Sequence, residues 1–256
     1  MPSGASIRSC RWHTQLSLTT STTIMTYVFE PSPVVSLPVQ GGPQQFPVRR
    51  VYCVGRNYAE HAKEMGFTGR EPPFFFLKPA DALLVIPEGA TGLMPYPSLT
   101  QNLHHEIELV VAIGKGGRNI AATQALSHVF GYGVGLDMTR RDLQNDMKKQ
   151  GRPWCIGKAF DHSAPVGPLV QAAHVPNIEQ ARICLHVNGT TKQDSQTSQL
   201  IWSIAETIEH LSTAWTLMPG DLIFAGTPEG VGPVHVGDAM VGQITGLPDL
   251  RVTITN

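Results

Sequence analysis

Glu106 and Glu108 stand two residues apart in the stretch "NLHHEIELVVAIGKGG", residues 102–117. Side chains two apart on a strand share a face, so both carboxylates point the same way. The residues that follow, Val110-Val111-Ala112-Ile113, carry no polar alternation, which is the pattern of a strand buried on both faces. Two like charges facing inward repel, and each one unpaired carries a desolvation cost of several kcal/mol. A cation between them removes both penalties. The alternative is a half-exposed strand that keeps both glutamates in water, and alternation alone does not choose between the two. If an ion is held, ligands that are all oxygen suit a hard one, Mg²⁺ or else Mn²⁺ or Ca²⁺, rather than zinc. Asp137, at the end of the glycine-rich apolar run "HVFGYGVGLD", offers a third carboxylate. Three carboxylates around a +2 ion leave room for waters and a substrate.

Other residues have the types but weaker patterns. His61 and Glu64 are three apart in "NYAEHAKEMG", which puts them on one face of a helix, where a carboxylate can orient and polarise an imidazole. The bland reading is an exposed salt-bridged helix. Arg141 and Gln144 also share a helical face, just beyond Asp137, and offer a bidentate donor for a carboxylate and a neutral donor for a carbonyl. With Arg140, Lys148 and Lys149 close by, a solvated face accounts for them equally well. Lys158 follows the apolar "PWCIG"; it is either a surface cation or a buried base whose pKa burial lowers. Thr227, in the turn-rich "AGTPEGVG", either reaches a ligand or stabilises its turn.

These residues need elements to hold them. "RRVYCVG" and "FFFLKP" read as strands, "NYAEHAKEMG" as a short helix closed by Gly66, and "TRRDLQNDMKKQG" as a polar helix. "ICLHVNGTTKQ" reads as a hairpin about Asn188-Gly189, a pair that tolerates the positive φ of a type I′ turn. "SIAETIEHLSTAW" is an amphipathic helix, and the chain ends in strands with turns at Pro219-Gly220-Asp221 and Gly237-Asp238. Strands outnumber helices and are unevenly spaced, which predicts a mainly β, α+β domain over residues 50–256 rather than a doubly wound sheet. Residues 25–49 form a Pro/Gly-rich arm expected to lie extended over a surface. Residues 1–24 hold five Ser, five Thr, Arg8 and Arg11 and no acid, as in a transit peptide or an upstream extension ahead of Met25.

Composition sets outer limits. With 256 residues, 41% hydrophobic, 15% charged and a net charge of -1, the chain has the balance of one large globular domain. No Lys/Arg run points to nucleic acid, and no apolar run approaches the ~18 residues of a membrane span. Cys10, Cys53, Cys155 and Cys184 are scattered, without the spacing of a zinc knuckle or a disulfide framework. A cytoplasmic location is expected, or a mitochondrial one if residues 1–24 are a transit peptide.

The blocks "VGRNYAEHAKEMG", "FFFLKPADALL", "HHEIELVVAIG", "GLDMTRRDLQ", "RPWCIGKAFD" and "MPGDLIFAGTPEGVGP" follow one another between Arg50 and Gly237. As an ordered set they resemble the fumarylacetoacetate hydrolase family, and within it the single-domain branch of acylpyruvases, oxaloacetate decarboxylases and bacterial fumarylpyruvate hydrolases. The arm "TYVFEPSPVVSLPVQG" is similar to that of the fumarylpyruvate hydrolases. The resemblance implies a mixed β-sandwich roll with a short lid helix. It implies a metal-dependent hydrolase that cleaves the C–C bond of a 2,4-dioxo acid, foremost fumarylpyruvate to fumarate and pyruvate in gentisate-type aromatic catabolism. Carried over residue by residue, it makes Glu106, Glu108 and Asp137 the metal triad, His61 and Glu64 a catalytic pair on the lid, and Lys158 the lysine near the substrate carbonyl. Arg141, Gln144 and Thr227 become the groups that hold the substrate. It implies Mg²⁺, with Mn²⁺ or Ca²⁺ as alternatives, a small dioxo acid as the binding partner, and a homodimer. The same electron sink serves an acylpyruvase, an oxaloacetate decarboxylase or an enol–keto isomerase of hydroxymuconate-type diacids. A metal-binding scaffold without turnover is the reading from another class, and the presence of both His61 and Glu64 speaks against it.

Overall fold

The computed structural model describes residues 26–59 and 70–256; residues 60–66 of the stretch read as a lid helix, His61 and Glu64 among them, lie outside those. The strand Ile107–Ile113 organises the rest because every residue in it is buried. Ile107, Leu109, Val111 and Ile113 enter one core, while Val110 and Ala112 enter a second on the opposite face. A strand with apolar neighbours on both sides has no use for polar alternation, which is why "LVVAI" lacks it.

That strand is central in an eight-stranded sheet whose order is Phe74–Lys78, Val51–Gly55, Leu222–Phe224, Ile107–Ile113, Val129–Leu136, Ala164–Val166 and Leu83–Val85. The eighth strand, Val170–Gln171, also pairs with Val129–Leu136. A five-stranded sheet runs Thr190–Gln196, Arg182–Val187, Ala239–Ile244, Leu250–Thr255 and Thr91–Pro95. The first core is filled from both sheets and from the helix Ile204–Ala214. A small sheet of Thr139–Arg140, Leu103–His105 and Gly232–Val234 stands at the end where the carboxylates emerge.

The fold is thus mainly β with few helices, as expected. Asn188 and Gly189 have φ of 50° and 75°, the two positive values a type I′ hairpin turn needs. The arm does more than lie on a surface. Within the compact unit Val34–Asn256, Ser36–Pro38 and Gln45–Pro47 pair as a hairpin that buries Leu37, Val39, Phe46 and Val48 in the second core. The apolar residues between the prolines therefore act as core rather than as a covering strap. Among the described residues no helix is long and apolar enough to cross a membrane, and Cys53, Cys155 and Cys184 are free.

Candidate active site

Strand register assembles the three carboxylates. Ile107 pairs with Leu136 and Glu108 with Gly135, and the Asp137 N–H donates to the Glu106 carbonyl at 2.8 Å. Glu106 and Asp137 therefore leave the sheet side by side. Gly135 makes this possible: a Cβ there would lie 2.6 Å from both Phe224 and Val110. Glu106, Glu108 and Asp137 are buried, and one carboxylate oxygen from each lies within 4.8 Å of the other two. The half-exposed alternative is excluded.

Three cations, all buried, surround the acids. Lys158 Nζ donates to Glu106 Oε2 at 2.9 Å, Asp137 Oδ2 at 2.6 Å and Thr139 Oγ1 at 2.7 Å. Lys78 Nζ lies 2.8 Å from Asp137 Oδ1. Arg141 forms an ion pair with Glu106 and donates to Gln144 Oε1 at 2.7 Å. Lys158 ends the short helix Cys155–Lys158, which packs closely on the helix Arg141–Lys149 because Gly157 has no side chain; a Cβ there would be 2.9 Å from the Gln144 backbone nitrogen. Arg141 and Gln144 are thus on the inner face of their helix, and the solvated reading of that face does not hold.

Burial, and next the charges of Asp137 and Glu106, push the Glu108 carboxyl well above the usual carboxylate range; Lys158 and the Gly226 N–H, 2.8 Å away, oppose this. Burial lowers the Lys158 pKa as the sequence suggested, but Asp137 and Glu106 outweigh it and the net shift is upward. Lys158 thus stands in the site as a hydrogen-bond donor to both acids and to Thr139. Thr227, also buried, accepts a hydrogen bond from Gln193 Nε2 at 2.8 Å, which leaves its own O–H proton free to donate.

Four groups escaped the sequence reading. Lys78, Thr139, Gln193 and Gly226 all bond to the cluster or to its frame. Gln193 Oε1 accepts from the Ile107 N–H at 3.1 Å, between the two glutamates, and bonds to His105 Nδ1 at 3.0 Å. A lysine closing the apolar run "FFFLK" was a usable signal for Lys78. Gln193 had none, since it reaches the site from the other large sheet.

The cluster fits a divalent hard cation. Its donor set is all oxygen, and Asp137 Oδ1 accepts no hydrogen bond among the described residues even though Lys78 is near. Burial and the neighbouring acids hold the Glu108 carboxyl towards its neutral form, so added positive charge there favours its ionised form.

Residues 50–255 match the family described as fumarylacetoacetate (FAA) hydrolase C-terminal. The crystal structure of fumarylpyruvate hydrolase from Pseudomonas aeruginosa in complex with Mn²⁺ and pyruvate is similar, with 58% sequence identity and a TM-score of 0.88, covering 90% of this chain and 99% of that one. Mitochondrial oxaloacetate tautomerase FAHD1 of Mus musculus is 43% identical over 206 residues, 80% of this chain and 91% of the relative. Mitochondrial oxaloacetate decarboxylase of Dictyostelium discoideum is 40% identical over 199 residues, 78% and 90%. With its triad, its mainly β fold and a match over most of its length, the chain belongs to the fumarylacetoacetate hydrolase family of enzymes.

Proposed function

We propose that the protein hydrolyses the C–C bond of a 2,4-dioxo acid, foremost fumarylpyruvate, giving fumarate and pyruvate. The observation that carries this reading is the buried triad of Glu106, Glu108 and Asp137, in a chain 58% identical to a fumarylpyruvate hydrolase solved with Mn²⁺ and pyruvate. Charge supports it too. The acids Glu106, Glu108 and Asp137 are matched by Lys78, Lys158 and Arg141, so a +2 ion leaves two formal positive charges in excess. A substrate with two carboxylates cancels them in a site of low dielectric.

Held by the triad, Mg²⁺ or Mn²⁺ would supply Lewis acidity that makes the 2-oxo-carboxylate end of the substrate an electron sink. Arg141 and Thr227 then bind that carboxylate, the Arg141 Nε–H being without a hydrogen-bond partner among the described residues. His61, oriented by Glu64, takes a proton from water as its oxygen attacks the 4-oxo carbon. Lys158 and Gln144 donate to the oxygen that gains charge there. The C3–C4 bond breaks, its electron pair stays with C3, and a proton returned to C3 yields pyruvate. Under this reading His61→Ala lowers kcat by roughly 10²–10⁴, the usual contribution of a positioned general base. Binding of oxalate, which needs only the ion, falls much less; equal losses would make His61 a pocket wall.

A second reading, oxaloacetate tautomerisation or decarboxylation, is favoured by the relatives at 43% and 40% identity. The test is a panel of fumarylpyruvate, acetylpyruvate and oxaloacetate with Mg²⁺, Mn²⁺ or EDTA. Fumarylpyruvate turned over fastest, and not with EDTA, is the expected result; faster turnover of oxaloacetate would replace the hydrolase reading by the second.

A further inference from the structure

Little room exists at the triad itself. The pocket bounded by Glu106, Glu108, Arg141, Gln144, Lys158 and Thr227 holds about 30 Å³, where a single water needs roughly 10–15 Å³. An ion and a few ligand atoms fill it. A cavity of about 530 Å³ adjoins it and shares Arg56, Phe76, Trp154 and Lys158 as walls. Whatever part of a substrate exceeds the small pocket has this space to enter.

Its walls have a definite chemistry. Phe74 and Phe76 alternate on the strand Phe74–Lys78 and so face the same side. The Trp154 ring meets Phe74 edge-on, centroids 5.4 Å apart at 88°, and meets Phe76 at 5.9 Å. Gly55, opposite Phe74 in register, gives that ring its place, since a Cβ would come within 2.0 Å of it. The Arg56 guanidinium sits 5.2 Å from the Phe74 centroid and Lys158 Nζ 5.3 Å from that of Phe76. Arg152 lines the outer cavity alone. Among the described residues that line it are three cations and no acid. Aromatic faces take up a flat unsaturated chain, and guanidinium groups pair with a carboxylate in bidentate fashion.

We propose that this cavity is the subsite for the distal acyl part of the substrate, and that it selects dioxo acids whose acyl group is planar, unsaturated and ends in a carboxylate held by Arg56 and Arg152. The inference rests on the hydrolase reading and narrows it. A methyl ketone such as acetylpyruvate brings no carboxylate to either guanidinium group.

The test compares kcat/KM for fumarylpyruvate and acetylpyruvate in the metal-loaded wild type, Arg152→Gln and Arg56→Gln. Each variant should lower the ratio of the two about tenfold or more, the effect of losing one charge-assisted bond, and Arg152→Lys should recover part of it. Arg152 is exposed, so its variants fold. A ratio that moves less than threefold in both Gln variants overturns the assignment. If the wild type cleaves neither substrate, the hydrolase reading fails, and titration calorimetry with fumarate then decides the cavity. Binding weakened at least fivefold by Arg152→Gln keeps it as a site for an unsaturated carboxylate, whereas no binding, or binding that ignores the substitution, removes it.

Discussion

The charged cluster around Glu106 and the hairpin–helix segment over residues 182–214 are built on opposite terms. Lys78, Glu106, Glu108, Asp137, Arg141 and Lys158 come from five separate elements or their ends and meet only because strand register brings them together. The turn of the hairpin Arg182–Val187 with Thr190–Gln196 and the start of the helix Ile204–Ala214 are settled locally, through Asn188-Gly189 and a capping box of Ser203 with Glu206, although Gln193 of that hairpin reaches the frame of the cluster. One region depends on long-range balance of charge, the other on short-range hydrogen bonds. Damage to the first should be large and sensitive to metal; damage to the second should be small and indifferent to it.

The largest effect is expected at Glu108. Glu108→Ala should bring metal-dependent turnover down to the level seen with EDTA, because an open site loses one of three ligands. The fold should persist, since removing a carboxyl already pushed towards its neutral form relieves repulsion from Glu106 and Asp137. Near-normal turnover with Mg²⁺ or Mn²⁺ would remove the triad from the site. Lys78→Met comes next. It keeps the aliphatic stem but strips a buried cation from Asp137 Oδ1; breaking a buried pair by removing one partner costs about 3–5 kcal/mol. Urea unfolding of the metal-free protein should show that loss, and saturating metal should return part of it by supplying positive charge to the same oxygens. A loss below about 1 kcal/mol, the range of an exposed pair, would mean that Lys78 is not part of the balance.

The same contrast explains what the sequence disclosed. The turn, the Ile204–Ala214 helix and the doubly buried strand were legible because their causes lie within a few residues of one another. The triad was legible because period two on one strand, plus an acid at the end of a glycine-rich run, is a short-range pattern with a costly meaning. Lys158 was named, but the upward shift of its pKa was not foreseen: Glu106 and Asp137, which raise it, are 52 and 21 residues away in sequence. Gln193 was missed for the same reason, as was the burial of Leu37 and Phe46, whose partners include strands placed much later in the chain.

A smaller effect is expected from metal on the intact protein. An ion that binds the folded state alone stabilises it by about 2.7 kcal/mol at a hundred times its Kd. Mn²⁺ or Mg²⁺ should therefore raise the unfolding midpoint of the wild type by several degrees and leave Glu108→Ala almost unmoved. An equal rise in both would place the ion elsewhere.

The smallest effect belongs to the self-sufficient region. Ser203 Oγ accepts the Glu206 N–H at 3.3 Å while Glu206 Oε2 accepts the Ser203 N–H at 3.0 Å, so two of the N–H groups that a helix start leaves unpaired are answered in one exchange. Ser203→Ala removes one half of it and should cost about 1 kcal/mol, the usual price of a lost N-cap. Ile204, Ile208 and Leu211 remain in the first core, so the helix itself should stay formed by circular dichroism. Because the side-chain hydrogen bonds of Ser203 among the described residues are all with Glu206, the loss should be the same with saturating metal as with EDTA, and turnover under folded conditions should not change. A metal-dependent loss at Ser203 would show that the helix and the carboxylate cluster are coupled through the core they share, and the division into a long-range and a short-range region would fail.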